Sequence, residues 1–157
     1  MVKYKFIKMN KKYANEICFN WKYEGIYSFY NMTEDKEDLE EFMDPKKWNK
    51  IYAVLEENKL IGFYQYKIQN NYLYIGFGLR PDLTGQGLGK KYVLDGIHYL
   101  LKQKDYKDKI IRLNVAEFNK RAISLYTKIG FIIKREYLQR INNINHPFVM
   151  MEMTNNI

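Results

Sequence analysis

Three glycines alternate in the segment Leu79-Arg80-Pro81-Asp82-Leu83-Thr84-Gly85-Gln86-Gly87-Leu88-Gly89-Lys90, where an apolar strand pattern gives way to a helical one. Glycine admits backbone angles closed to other residues and lets another molecule approach the main chain. The first turn of a helix carries N–H groups with no acceptor in the helix, and its dipole favours negative charge. A glycine loop feeding such a turn predicts a cradle for phosphate; the alternative is a tight strand-to-helix connection and nothing more. Two nucleotide motifs fit the segment poorly. In a P-loop, G-x-x-x-x-G-K-[ST], Thr84 would stand at the first glycine and Lys91 at the hydroxyl that holds magnesium. The dinucleotide pattern G-x-G-x-x-G fails at Lys90, its third glycine.

The elements around the loop predict an α+β domain with a mixed sheet. Val2 to Lys8 alternates like a strand, and Asn10 to Asn20 carries Tyr13, Ile17 and Trp21 at helical spacing. An aromatic stretch follows, with Trp21, Tyr23, Tyr27, Phe29 and Tyr30 around Glu24 and Gly25. Thr33 is expected to cap a helix that opens with Glu34, Asp35, Glu37 and Asp38 and ends at Asp44-Pro45. Strands at Ile51–Glu56, Leu60–Ile68 and Tyr72–Leu79 are joined by the turns Glu57-Asn58-Lys59 and Gln69-Asn70-Asn71, short enough for antiparallel neighbours. A helix from Gly87 to about Lys104, with Val93, Ile97, Leu100 and Leu101 on one face, and a strand from Lys109 to Ala116 complete a βαβ unit. Asn119 to Ile129 is a second helix, with Ala122, Leu125, Tyr126 and Ile129 apolar on one side and Gly130 as its C-terminal cap. Phe131–Arg140 and Pro147–Thr154 form a closing hairpin.

With 157 residues the chain suits one domain, residues 1–157, and 46% hydrophobic content supports a packed core. Its 26 Lys and Arg against 18 Asp and Glu give a net charge of +8. That charge suits a polyanionic ligand, yet the basic residues are spread out in a chain generally rich in Lys, Asn, Ile and Tyr, so nucleic acid is not the expected partner. Cys18 is the one cysteine, which precludes an intrachain disulfide and any CxxC metal or redox motif. No apolar run approaches the ~20 residues that span a bilayer, and lysines interrupt the N-terminal apolar residues where a signal peptide would be continuous. A cytoplasmic protein without a membrane partner is expected.

The loop and a second segment together resemble the GNAT family of acyl-CoA-dependent N-acyltransferases. Thr84-Gly85-Gln86-Gly87-Leu88-Gly89 is similar to that family's [RQ]-x-x-G-x-[GA], with Thr84 in place of Arg or Gln. Asn119-Lys120-Arg121-Ala122-Ile123-Ser124-Leu125-Tyr126-Thr127-Lys128-Ile129-Gly130-Phe131 is similar to its N-x-x-A-x-x-[LF]-Y-x-x-x-G-F. The two segments stand in the family's order and spacing, and the element order follows it over nearly the whole chain. The resemblance implies a largely antiparallel sheet with flanking helices and acetyl-CoA as co-substrate with no metal. It also implies an amine acceptor that the sequence does not identify.

By that resemblance the backbone of Phe77, Gly78 and Leu79 would pair with the pantetheine arm, Gly76 and Gly78 allowing close approach. Thr84, Gly85, Gln86, Gly87, Leu88 and Gly89 would cradle the pyrophosphate, with Lys90 or Lys91 meeting its charge, and Asn119 would hydrogen-bond the CoA chain. Tyr126 matches the tyrosine proposed as general acid near the sulfur; a phenol is comparable in basicity to a thiolate and can donate to it. It is also a core position of its helix. Trp21, Tyr23, Glu24 and Tyr27 are candidates for the acceptor pocket, and aromatics at such spacing also build cores. The general base is unassigned: relatives carry Glu where this chain has Leu73 or Asn114, and Glu117 and Glu24 are substitutes by position alone. His98 and His146 have no sequence partners that suggest a metal or a triad. Besides an acetyltransferase, the residues admit a catalytically weak acyl-CoA-binding regulatory module of the same fold.

Overall fold

The structure is a computed structural model and describes residues 3–103, 106 and 109–154. Seven strands, β1 (Lys5–Lys8), β2 (Ile51–Glu56), β3 (Lys59–Gln69), β4 (Tyr72–Leu79), β5 (Ile110–Ala116), β6 (Ile132–Ile141) and β7 (Ile144–Met153), lie in the order β1-β2-β3-β4-β5-β7-β6. The register is antiparallel for β1/β2, β2/β3, β5/β7 and β6/β7 and parallel for β4/β5. The helices are α1 (Lys11–Asn15), α2 (Lys36–Phe42), α3 (Gly89–Leu101) and α4 (Lys120–Ile129). This is the mixed, largely antiparallel α+β architecture expected from the sequence. Among the described residues no helix is long and apolar enough to cross a membrane. The chain divides into two compact units. One comprises the residues up to Gln65 with Phe77–Thr84; the other comprises Tyr66–Gly76 with the residues from Gly85 onward.

The first unit is built on β1–β3 and the helical segments between them. β1 begins at Lys5, later than the expected strand, whose first residue, Val2, lies outside the described residues. α1 is capped by Asn10, whose side chain accepts from Tyr13 N–H, and then widens into a π-turn over Glu16–Asn20. The expected continuous α-helix is therefore corrected, although the wider turn still buries Ile17 and Cys18. Thr33 does not cap α2. It lies in a 3₁₀ turn, Met32–Glu34, and the cap is Asp35, which accepts from the amides of Glu37 and Asp38. Met9, Ala14, Ile17, Cys18, Trp21, Phe42, Ile51, Leu55 and Phe63 share one core. Burial pushes the Cys18 thiol up to about 11, against the pull of Lys22, which leaves it a packing group and not a nucleophile.

In the second unit α3 runs from Gly89 to Leu101, shorter at both ends than expected; Lys104, its expected end, lies outside the described residues. It buries Tyr92, Val93, Ile97 and Leu100, while β5 and β7 bury Ile111, Leu113, Val115, Val149, Met151 and Met153. The parallel β4/β5 register matches Tyr72, Leu73 and Tyr74 to Ile110, Ile111 and Arg112 and stops there. Arg112 ties three strands together, donating from Nε to Glu152 (2.9 Å) and from Nη1 to the Tyr74 hydroxyl (3.1 Å), with the Tyr72 ring against its guanidinium. None of the residues of α4 is fully buried; Ala122, Leu125, Tyr126 and Ile129 are half-buried, where the sequence pattern suggested a core face. The closing hairpin turns at Asn142-Asn143, both left-handed, as at Glu57-Asn58 and Asn70-Asn71; Asn tolerates that conformation better than most residues.

Candidate functional site

The end of β4, in the first unit, is fixed by close packing and by side chains from distant sequence. A Cβ at Gly78 would lie 2.4 Å from the Phe63 ring, so only glycine lets that ring pack against the strand. The Phe77 ring packs against Tyr64 with centroids 5.1 Å apart and planes tilted by 34°. The Tyr23 hydroxyl donates to the Leu79 carbonyl at 2.7 Å, and the Tyr23 N–H donates to Asn31 Oδ1 at 2.8 Å. Burial raises the Tyr23 phenol well above its ordinary range, which keeps it a donor. The next amide, Arg80 N–H, donates to the Ile61 carbonyl at 2.7 Å. The Leu79–Arg80 peptide is thus held at both of its polar ends.

The Arg80 guanidinium is forked onto Asp82 at 2.6 and 3.1 Å and also reaches the Leu60 carbonyl at 3.0 Å. Its hydrogen bond holds the Asp82 carboxyl below the usual range. Thr84, which stands where the resemblance leads one to expect Arg or Gln, donates its hydroxyl to the Pro81 carbonyl at 2.8 Å. Its side chain closes the 3₁₀ turn Pro81–Leu83 and does not extend outward as a longer residue would. Trp21 is a core residue, 5% exposed, with its indole N–H on Glu16 Oε2 at 3.2 Å. Glu24 is exposed and Tyr27 half-buried, and the Tyr27 N–H returns to the Glu24 carbonyl at 3.2 Å. The four acceptor-pocket candidates therefore separate into a core residue, a strand anchor and two residues of one surface turn.

In the second unit the glycine loop has the backbone that its sequence demands. Gly85 (φ 72°) and Gly87 (φ 77°) are left-handed on either side of Gln86, and all three are exposed. Such alternation lets successive amides converge on one anion. α3 follows with Leu88 as its N-terminal flank, no side-chain cap and no acidic residue in the first turn. Its first internal hydrogen bond is Tyr92 N–H to the Leu88 carbonyl, so the amides of Gly89 and Lys90 have no acceptor one turn back. Lys90 is exposed at this end, whereas Lys91 is paired with Asp95 at 2.5 Å. A Cβ at Gly89 would come within 2.8 Å of Leu125 Cδ2, so this glycine lets α3 start close to α4.

α4 contributes the rest. Asn119 caps it, its Oδ1 accepting from Ala122 N–H at 3.1 Å, which leaves Nδ2 as the donor end of that amide. Gly130 closes the helix at φ 128°, as expected. Tyr126 is half-buried, its ring edge-on to Phe131 with centroids 6.1 Å apart. One residue escaped the sequence reading. A Cβ at Gly85 would lie 3.3 Å from Arg121 Nη1, so a guanidinium stands beside the first left-handed glycine. The signal that could have found it is its place in the first turn of α4, two residues after the cap. Where relatives carry Glu this chain has no carboxylate, since Leu73 is buried at 1% exposure and Asn114 is exposed, and the two substitutes by position, Glu117 and Glu24, are exposed surface residues.

The acetyltransferase (GNAT) family profile matches residues 16–131. A mycothiol acetyltransferase from Rhodococcus opacus is 30% identical over 126 residues, 75% of this chain and 40% of that protein. One from Paenarthrobacter aurescens is 33% identical over 100 residues, 59% of this chain and 29% of that protein. The chain thus spans less than half the length of these curated relatives. Among solved structures, a chimeric spermidine N-acetyltransferase from Vibrio cholerae and hSSAT superposes with a TM-score of 0.75 at 19% identity, covering 96% of this chain and 95% of that one. An aminoglycoside acetyltransferase in complex with coenzyme A gives 0.72 at 18% identity, covering 98% and 95%. Those two likenesses show a shared fold, while the profile match across most of the chain shows kinship: this chain belongs to the acetyltransferase (GNAT) family.

Proposed function

We propose that the chain transfers an acetyl group from acetyl-CoA to a primary amine, by direct attack within a ternary complex and without a covalent enzyme intermediate. The observation that carries this reading is the pair of left-handed glycines, Gly85 and Gly87, opening onto a helix that has no side-chain cap. That backbone suits a pyrophosphate, which the converging amides would bind, with Lys90 and Arg121 supplying positive charge. The main chain of Phe77–Leu79 would take the pantetheine arm. Because the Leu79 carbonyl already accepts from Tyr23, the Leu79 N–H and the Phe77 carbonyl are the groups assigned to that pairing. Bound acetyl-CoA supplies an activated acyl group, and the protein orients it and manages protons. Tyr126 would donate a hydrogen bond or a proton to the departing sulfur.

The proteins matched are named for mycothiol, spermidine and an aminoglycoside, so the fold does not choose the acceptor. Glu24 and Tyr27 are the exposed and half-exposed candidates to line its path, and a net charge of +8 acts against polyamines through long-range repulsion. A second reading, an acyl-CoA-binding regulatory module with weak turnover, is favoured by the apolar Leu73 and the non-ionisable Asn114. Tyr126→Phe decides between them. For an enzyme, kcat on an amine panel falls about 100-fold while acetyl-CoA affinity is retained. Thiol release that is negligible in the parent across the panel, with acetyl-CoA still bound, would favour the module.

A further inference from the structure

We propose that β6 is the dimerisation edge of this protein, pairing antiparallel with β6 of a second copy about a two-fold axis at Leu138. β6 is the last strand of the sheet, and eight of its ten residues are exposed, among them Ile132 (56%), Ile133 (48%) and Leu138 (63%). An edge strand whose outer backbone groups lie outside the ladder is a template for another strand, and the charges along this one, Arg135, Glu136 and Arg140, restrict the registers open to it. The strand itself specifies the register. A bulge interrupts the ladder between Ile133 and Arg135, and the Asn142-Asn143 turn ends it at the other side. The regular stretch is therefore Arg135–Ile141, and its midpoint is Leu138.

Pairing that stretch over its full length sets Leu138 against Leu138 of the second copy and Glu136 against Arg140 twice. No like charges fall opposite one another. Moving the axis to Tyr137 would oppose Lys134 to Arg140, and moving it to Glu136 would oppose that carboxylate to itself. Moving it to Gln139 would leave Glu136 opposite the turn residue Asn142. The backbone agrees with this register. Ile141 closes a two-residue turn against Ile144, so its polar groups point to β7; alternation then turns those of Glu136, Leu138 and Arg140 outward, the groups this register joins. A two-fold contact of this kind uses the same patch on both copies and closes without propagating.

The test is the mass of the full chain by sedimentation at about 100 µM and ~0.15 M salt, well above the micromolar dissociation constants expected of small interfaces. The expected result is a dimer. Leu138→Pro removes an N–H that points away from β7, so it should yield a monomer with an intact thermal transition. Glu136→Arg and Arg140→Glu should each weaken the dimer at least tenfold, and the double variant should restore it. A monomeric parent, a dimer that survives Leu138→Pro, or a double variant no better than the singles would each overturn the proposal.

Discussion

At the start of α2 the Asp35 carboxylate accepts from two helix amides, and Glu37 and Asp38 add two more negative charges within the first turn. At the start of α3 there is no side-chain cap and no acid, and left-handed glycines and Lys90 stand there instead. Both helix ends present the same unpaired amides and the same dipole. The sequence satisfies one from within, and the other is the end proposed above to receive an anion from outside. A third helix, α4, shows that the chain supplies caps readily, since Asn119 is one. The bare end of α3 is therefore selective, and it coincides with the loop where glycine is required.

Gly87→Asp is the strongest way to break this contrast. Nothing lies within 4 Å of a Cβ at this position, and aspartate tolerates a left-handed backbone, so the fold should survive. A carboxylate there should weaken acetyl-CoA binding roughly 30-fold, matching the ~2 kcal/mol that a helix end can exert on a charge. An unchanged Kd by calorimetry would mean that the anion goes elsewhere. Arg121→Ala tests whether the neighbouring guanidinium belongs to the same site, and a loss of about fivefold is expected for one partly exposed charge contact. The converse holds at α2: Asp35→Ala should cost about 1 kcal/mol of stability, lower the thermal midpoint by about 2–4 °C and leave acetyl-CoA affinity unaltered. Thr33→Ala should change neither.

The smallest effect concerns the acids crowded at α2. Desolvation, then the charges of Asp35, Glu41 and Glu37, push the Asp38 carboxyl up to about 6. A carboxyl with a higher pKa in the folded state binds its proton more tightly there. Its contribution to stability is then present at low pH and is lost as pH rises from about 4 towards 6. Asp38 is exposed as a whole, so solvent screens much of this. Asp38→Asn should flatten the dependence of the thermal midpoint on pH in that window, and an unchanged slope would show that the crowding has no energetic consequence.

These contrasts also mark what was legible in the sequence. The glycine loop was, because left-handed φ values have few residues that carry them, and so were the turns at Glu57-Asn58 and Asn70-Asn71, Gly130 and the parallel crossover. The cap of α2 was misplaced by two residues because Thr33 and Asp35 are both good caps, and the 3₁₀ turn that decides between them is set by packing. The π-turn after α1 was hidden because it keeps the apolar residues on the side where an α-helix would put them. Contacts that join distant sequence left no local trace. The Tyr23 hydroxyl on Leu79 spans 56 positions, and Arg121 reaches Gly85 only because α4 starts beside the loop. The half-burial of Tyr126, placed by periodicity in a core, belongs to the same class.

The central claim, that the glycine loop and the uncapped α3 bind acyl-CoA, is tested most directly by the thermal midpoint with and without acetyl-CoA at a hundredfold excess over Kd. Binding should add about 2.7 kcal/mol, which for a chain of this size is a rise of about 5–10 °C, and Gly87→Asp should abolish most of it at the same concentration. No rise at millimolar acetyl-CoA, with CoA and longer acyl-CoAs equally silent, would contradict the account and leave the loop as a tight connection between a strand and a helix.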